Sequence, residues 1–244
     1  MPFMKKQFLL LTFFVLSAIA ANSQYSFFYN GREYFVLKSS MFKDSTGKQY
    51  NYNEAVLAMM GGEYETVPAD PRDASKGFLL SGVSKEERLR RAMAAPKPVE
   101  TTSFKTGKKF EAFSGYDING KLVDTKQLKG KVLVINFWFT TCPPCKAERP
   151  YLNRIVEDYR SDSNVVFIAI ALDQKEQLEP YLKEHEFKYN VIPAGKTIAD
   201  SYNIQGYPTQ LIVDKEGKIA FHTVSYYSVT DYWMRKTIDE LRVK

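Results

Sequence analysis

Gly130-Lys131-Val132-Leu133-Val134-Ile135-Asn136-Phe137-Trp138 runs through Phe139-Thr140-Thr141 into Cys142-Pro143-Pro144-Cys145-Lys146-Ala147-Glu148-Arg149-Pro150. The first part holds a continuous apolar run, Val132-Leu133-Val134-Ile135, of the sort found in strands buried on both faces. Beyond Cys142 the period changes, because Leu152, Ile155, Val156 and Tyr159 recur at helical spacing. A buried strand feeding a helix, with two cysteines at the junction, is the setting in which Cys-x-x-Cys reads as a redox motif.

Working outward, Phe110 to Val123 reads as a hairpin around Asn119-Gly120, a dipeptide suited to a turn with positive φ. Val165 to Leu172 reads as a second buried strand, and Leu178, Tyr181, Leu182 and His185 mark the next helix. Thr209 to Val213 and Lys218 to Val224 form another hairpin, turned by Asp214-Lys215-Glu216-Gly217. A last helix turns Trp233, Met234, Ile238 and Leu241 inward. The predicted order is ββ-βαβα-ββα, an α/β fold with helices flanking a mixed central sheet.

The N-terminal half divides differently. Lys5-Lys6, the apolar run Phe8 to Ala21 and the polar exit Asn22-Ser23-Gln24 have the layout of a secretory signal peptide over residues 1–23. The run is shorter than the roughly 20 residues that span a bilayer, so cleavage is the expectation and an uncleaved anchor the alternative. Residues 24–83 read as a small appendage with aromatic strands such as Tyr34-Phe35-Val36-Leu37, a turn at Asp44-Ser45-Thr46-Gly47 and a helix from Asn53 to Met60. Residues 84–105, with Ala95-Pro96-Lys97-Pro98, read as a linker or strap, and residues 106–244 as the main domain.

A formal net charge of +6, falling by two with Lys5 and Lys6, is mild, and Lys and Arg alternate with acids as in Lys85-Glu86-Glu87-Arg88. That pattern argues against a nucleic-acid partner. The chain's two cysteines are both in the one motif. A pair three residues apart closes too small a loop to brace a fold, so chemistry is its better explanation.

The run from Gly130 to Trp138, the Cys142-to-Pro150 segment and Gly206-Tyr207-Pro208-Thr209, which matches a cis-proline loop, together closely resemble the TlpA/ResA branch of the thioredoxin superfamily. The resemblance covers about the last 140 residues. It implies a thioredoxin fold and exported, periplasmic enzymes that mostly reduce disulfides in other proteins, sometimes during cytochrome c maturation. It also implies that the Tyr207 backbone pairs with an incoming substrate strand, that the Pro208 loop faces the Cys142 sulfur, and that Glu148 is functional. The chain departs in having Thr141 where the branch often has Trp before the first cysteine.

The residues themselves assign roles to the two thiols. Cys142, at the helix start, should present an exposed sulfur to the positive end of the helix dipole and act as nucleophile, with Cys145 buried one turn in as the resolving thiol. Pro143 and Pro144 carry no amide hydrogen, which leaves mainly the Cys145 amide and the helix field to stabilise the thiolate. This favours a reducing protein, nearer a potential of about −270 mV than about −120 mV. Glu148, three residues after Cys145 on the same helix, is the expected proton partner, ionised and raising the thiol pKa values by like-charge repulsion. Asn136 reads equally well as a satisfied polar residue of the strand and as part of the site.

No cofactor is expected. A zinc site would need His185 and His222 beside the cysteines, and both read as scaffold histidines. Covalent haem attachment needs His where Lys146 stands. A disulfide oxidase or isomerase of the same fold is the alternative function. A thiol peroxidase is disfavoured, because its motif needs Thr three residues before the cysteine and Phe139 stands there. The expected partners are disulfide-containing proteins and an upstream thiol reductant, without stable membrane insertion after cleavage.

Overall fold

A computed structural model describes residues 25–243. The signal-peptide reading of residues 1–23 lies outside them. The described chain forms two compact units, residues 25–59 with 63–84 and residues 60–62 with 85–243.

The first unit contains β1 (Tyr25–Tyr29), β2 (Arg32–Val36), β3 (Phe42–Asp44), β4 (Gln49–Tyr50), all but the last residue of α1 (Tyr52–Met60), β5 (Tyr64–Pro68) and β6 (Phe78–Gly82). β1 and β2 make an antiparallel hairpin, and the rest form a four-stranded sheet in the order β4-β3-β6-β5. Tyr34, Val36, Phe42, Ala55, Phe78 and Leu80 make its small core. The turn after β3 is set by Asp44, whose carboxylate accepts from the Thr46 and Lys48 amides and from the Thr46 and Tyr50 hydroxyls. These donors hold the Asp44 pKa down at about 2.

The second unit begins with α2 (Lys85–Ala94), followed by a hairpin of β7 (Ser114–Tyr116) and β8 (Leu122–Asp124). Then come β9 (Val132–Trp138), α3 (Pro143–Tyr159), β10 (Val165–Ala171), α4 (Lys175–Glu184), β11 (Asn190–Ile192), α5 (Lys196–Ser201), β12 (Thr209–Val213), β13 (Ile219–Val224) and α6 (Thr230–Arg242). The sheet order is β11-β10-β9-β12-β13. β9 pairs parallel to β10 and antiparallel to β12, so the sheet is mixed and this is the thioredoxin-like α/β fold expected from the sequence.

The sequence order omitted β11 and α5. Three and six residues are too few for a hydrophobic period to declare itself.

Every residue of β9 is buried, because the strand is central and covered on both sides. Val132, Val134 and Trp138 face one apolar cluster with Leu152 and Ile155 of α3, Leu178 of α4 and Met234 and Ile238 of α6. Leu133, Ile135 and Phe137 face the other, with Phe104, Phe110, Phe113 and Ala199. The alternation puts Asn136 on the α3 side.

Residues 99–107 run along β13. The Thr223 hydroxyl donates to the Val99 carbonyl, the Thr101 amide to His222 Nδ1, and the Gly107 amide to the Ile219 carbonyl. An edge strand that would otherwise expose unpaired backbone is thereby covered. Among the described residues no helix is long and apolar enough to cross a membrane.

Candidate active site

The two cysteines sit where β9 hands over to α3. Cys142 is the N-cap of α3, extended at φ −75° and ψ 109°, with Pro143 and Pro144 as the first helical residues. Proline suits these places, since their amides would find no partner within the helix. The Cys145 amide donates to Cys142 Sγ at 3.2 Å, and the Lys146 amide to the Cys142 carbonyl at 3.1 Å. Cys142 and Cys145 are joined by a disulfide, with their Cα atoms 5.3 Å apart.

In this oxidised form both cysteines are buried, Cys142 at 2% exposure and Cys145 at 3%. The exposed sulfur expected at Cys142 is therefore corrected. Cys142 shares the apolar cluster of Trp138 and Cys145, against which Phe139 and Tyr207 also pack. What distinguishes the two sulfurs is the helix end, because Cys142 Sγ is the one that receives an amide hydrogen.

The loop before Cys142 is anchored from the next strand. Asp173, just past β10, accepts from the Thr140 amide at 2.8 Å and from the Thr140 hydroxyl at 2.7 Å. The Phe139 ring stands edge-on to Tyr207, 5.4 Å between centroids, and so joins the cysteine loop to the turn before β12. In that turn the Tyr207–Pro208 peptide is cis. The Thr209 hydroxyl donates to the Gly206 carbonyl at 2.8 Å, and a Cβ on Gly206 would come within 2.6 Å of the Val224 side chain.

Beneath the cysteines lies a buried polar cluster. Cys145, Glu148, Leu152 and Ile155 form the inward face of α3, which brings Glu148 down onto the sheet. Glu148 Oε1 accepts from Asn136 Nδ2 at 2.9 Å and from Gln210 Nε2 at 2.8 Å. Asn136 and Gln210 are directly opposite one another in the β9–β12 register, and the neighbouring position on β10 is the small Ala169. Glu148 is 1% exposed, and loss of water raises its pKa from 4.5 to about 8 against the lowering effect of the two amides.

The ionised Glu148 expected from the sequence is thus replaced by a carboxyl that holds its proton at neutral pH. Among the described residues Glu148 Oε2 has no hydrogen-bond partner, and neither does the buried Tyr189 hydroxyl, whose pKa is raised by burial and then by Glu148.

The structure brings Cys142, Pro143, Pro144, Cys145 and Glu148 together on α3, with Tyr207 and Pro208 beside their loop. It also resolves Asn136, which belongs to the Glu148 cluster. Gln210 and Asp173 were missed. Gln210 had a signal, a long amide side chain next to the apolar residues Leu211-Ile212-Val213 in a buried strand, where every polar side chain needs a partner.

A thioredoxin-like domain with a Cys-x-x-Cys disulfide capping the helix after its central strand defines a dithiol-disulfide redox protein. Comparisons with known proteins place it more narrowly. The AhpC/TSA family profile matches residues 106–222. A thiol-disulfide oxidoreductase ResA from Bacillus cereus is 36% identical over 115 residues, which is 46% of this chain and 66% of that relative, just under two thirds. A ResA from another Bacillus cereus strain is 32% identical over 138 residues, 56% of this chain and 70% of the relative. The chain belongs to the ResA family of thiol-disulfide oxidoreductases. Among solved structures, one assigned as a thiol:disulfide interchange protein DsbE from Chlorobium tepidum matches with a TM-score of 0.52 at 21% identity, over 57% of this chain and 98% of that one. One assigned as a protein disulfide isomerase from Bacteroides thetaiotaomicron matches with a TM-score of 0.54 at 22% identity, over 60% and 95%. These two likenesses establish the fold.

Proposed function

We propose that the protein is an exported oxidoreductase that reduces disulfides in extracytoplasmic proteins by dithiol exchange through Cys142 and Cys145. The observation that carries this reading is the Cys142–Cys145 disulfide at the N-terminus of α3, with a buried carboxyl one helical turn below it. In the reduced protein the Cys142 thiolate attacks one sulfur of a substrate disulfide. A Cys142–substrate bond forms and the first substrate thiolate leaves. Cys145 then attacks Cys142 Sγ, closing the internal disulfide and releasing the second thiolate.

Glu148 accepts the Cys145 proton in that second step once it has released its own to solvent, so the step draws on the ionised fraction of Glu148, which grows as pH rises toward 8. Its pKa of about 8 lies close to the ordinary thiol value of about 8.5, the match that makes proton transfer between them easy in either direction. The substrate gains two electrons and two protons, and the protein's dithiol loses them. A dithiol reductant upstream must restore it.

The Pro143-Pro144 pair supports a reductase over an oxidase or isomerase, since it withholds two amides from the Cys142 thiolate and so favours the disulfide form of the protein. Lys5-Lys6 and the apolar run to Ala21 support export, with the periplasm as destination and an uncleaved anchor as the competing outcome. The Tyr207–Pro208 loop, joined to the cysteine loop by the contact of Tyr207 with Phe139, supports Tyr207 and Pro208 as the edge that meets the substrate chain.

Equilibration with glutathione tests the direction. A potential near about −270 mV is expected, and one near about −120 mV would make the protein an oxidant and overturn the reductase reading. Mass spectrometry of the protein from fractionated cells tests export. The expected result is a soluble extracytoplasmic species lacking Lys5 and Lys6; retention of both on membrane-bound protein would establish the anchor instead.

A further inference from the structure

We propose that Asn136 and Gln210 are positioning residues that, by both donating to Glu148 Oε1, keep that oxygen an acceptor and confine the proton exchanged by Glu148 to Oε2. The proposal rests on the reading of Glu148 as proton acceptor and adds which oxygen does the work. A carboxyl oxygen that already receives two N–H hydrogens, at 2.9 and 2.8 Å, has both its lone-pair directions occupied. A third hydrogen placed there would meet the other two head-on. Oε2 is buried and has no partner among the described residues, so it is the oxygen left to carry the proton.

The orientation of the two amides is fixed by the same arrangement. Turning both over would set the oxygens of Asn136 and Gln210 against Oε1 with no more than one proton among the three. In the observed arrangement those oxygens, Asn136 Oδ1 and Gln210 Oε1, are buried without partners. Two unsatisfied acceptors are a recurring cost, and the gain that offsets it is a pair of charge-assisted donors to the carboxylate that appears when the proton leaves. The donors come from adjacent central strands in direct register, so the backbone ladder holds them at a fixed spacing.

Among the described residues the buried phenols of Tyr189 and Tyr226 feel the Glu148 charge, beside Arg235 at Tyr189 and Tyr151, Asp231 and Arg154 at Tyr226, while Cys142 and Cys145, tied in the disulfide, do not titrate. Neither phenol ionises in the range where Glu148 does, since burial raises both. A titration of the oxidised protein near neutral or mildly alkaline pH therefore reports Glu148 in this cluster.

The test is infrared difference spectroscopy of the full-length oxidised protein across pH. The Glu148 carbonyl band is identified as the one lost in Glu148→Gln. With the proton on Oε2, the C=O group is Oε1 under two donors, and its band lies below that of a free buried carboxylic acid. Gln210→Met and Asn136→Leu each remove one donor at similar volume. Each is expected to move the band to higher frequency and its titration up by about one to two pH units, a tenfold or greater rise in proton affinity.

A wild-type band already at the free-acid frequency would put the proton on Oε1 and overturn the proposal without any variant. A folded variant whose band and titration match wild type would overturn the role of the residue replaced. Neither reading depends on turnover. A protein inactive in disulfide reduction but showing the expected bands would refute the proposed function and leave the clamp intact, and the reverse result would do the opposite.

Discussion

Glu148→Gln should abolish a pH dependence of stability that originates in one buried carboxyl. In the oxidised protein the cysteines do not titrate. The native Glu148 keeps its proton to about pH 8, while in the unfolded chain it gives the proton up around 4.5. Between those values the native state binds more protons than the unfolded state, so stability falls as pH rises. The gap of about 3.5 units, from 4.5 to about 8, corresponds to roughly 5 kcal/mol at 1.36 kcal/mol per unit. The full stabilisation is present below pH 4.5 and is gone above pH 8.

Glutamine keeps an acceptor for the Asn136 and Gln210 amides but has no proton to lose. The variant's stability minus that of wild type should therefore grow by several kcal/mol between pH 5 and 8. Denaturant unfolding followed by tryptophan emission is the suitable assay, because both tryptophans, Trp138 and Trp233, lie in the second unit. A difference that stays flat across this range would mean that Glu148 ionises like an exposed acid, and the argument from burial would fail.

Other outcomes follow from the same geometry. In the reduced protein a mild alkylating agent should label Cys142 before Cys145, because the Cys142 sulfur receives the Cys145 amide at the helix end; equal rates would remove that asymmetry. Pro144→Ala restores an amide in the first helical turn, within reach of an N-cap acceptor. It should lower the Cys142 thiol pKa and make the potential less negative, as measured against glutathione. Asp173→Ala removes both hydrogen bonds to Thr140 and should cost about 2 kcal/mol in unfolding experiments and slow disulfide exchange. Burial lowers the His222 pKa below 6.5, so the native protein keeps it neutral while the unfolded chain takes up a proton. Its contribution is complete above pH 6.5 and is lost as pH falls below that, a trend that His222→Gln should remove from acid unfolding curves.

The elements that position the site were legible where the signal was local. The Val132-to-Trp138 run and the apolar period after Cys142 specify a buried strand and an amphipathic helix from adjacent residues alone, and the Cys-x-x-Cys motif falls at their junction. What escaped was set by partners distant in sequence. Glu148 is uncharged at neutral pH because strands β9 and β12 close over it, and Gln210 lies 62 residues further along the chain. Asp173 reaches Thr140 across 33 residues. The buried Cys142 belongs to an apolar cluster with Trp138, against which Phe139 and Tyr207 pack, and Tyr207 comes from a loop that no local pattern connects to the cysteines.

The central claim, that disulfides are exchanged through Cys142 with Cys145 as resolving thiol, is tested most directly by a single turnover of the reduced protein with a disulfide-containing protein, quenched in acid and resolved by mass. Wild type should reduce one substrate disulfide per molecule and end with the Cys142–Cys145 bond. Cys145→Ser should stop as a mixed disulfide at Cys142, and Cys142→Ser should form none. Substrate reduction that persisted in Cys142→Ser, or a trapped bond at Cys145 in place of Cys142, would contradict the account.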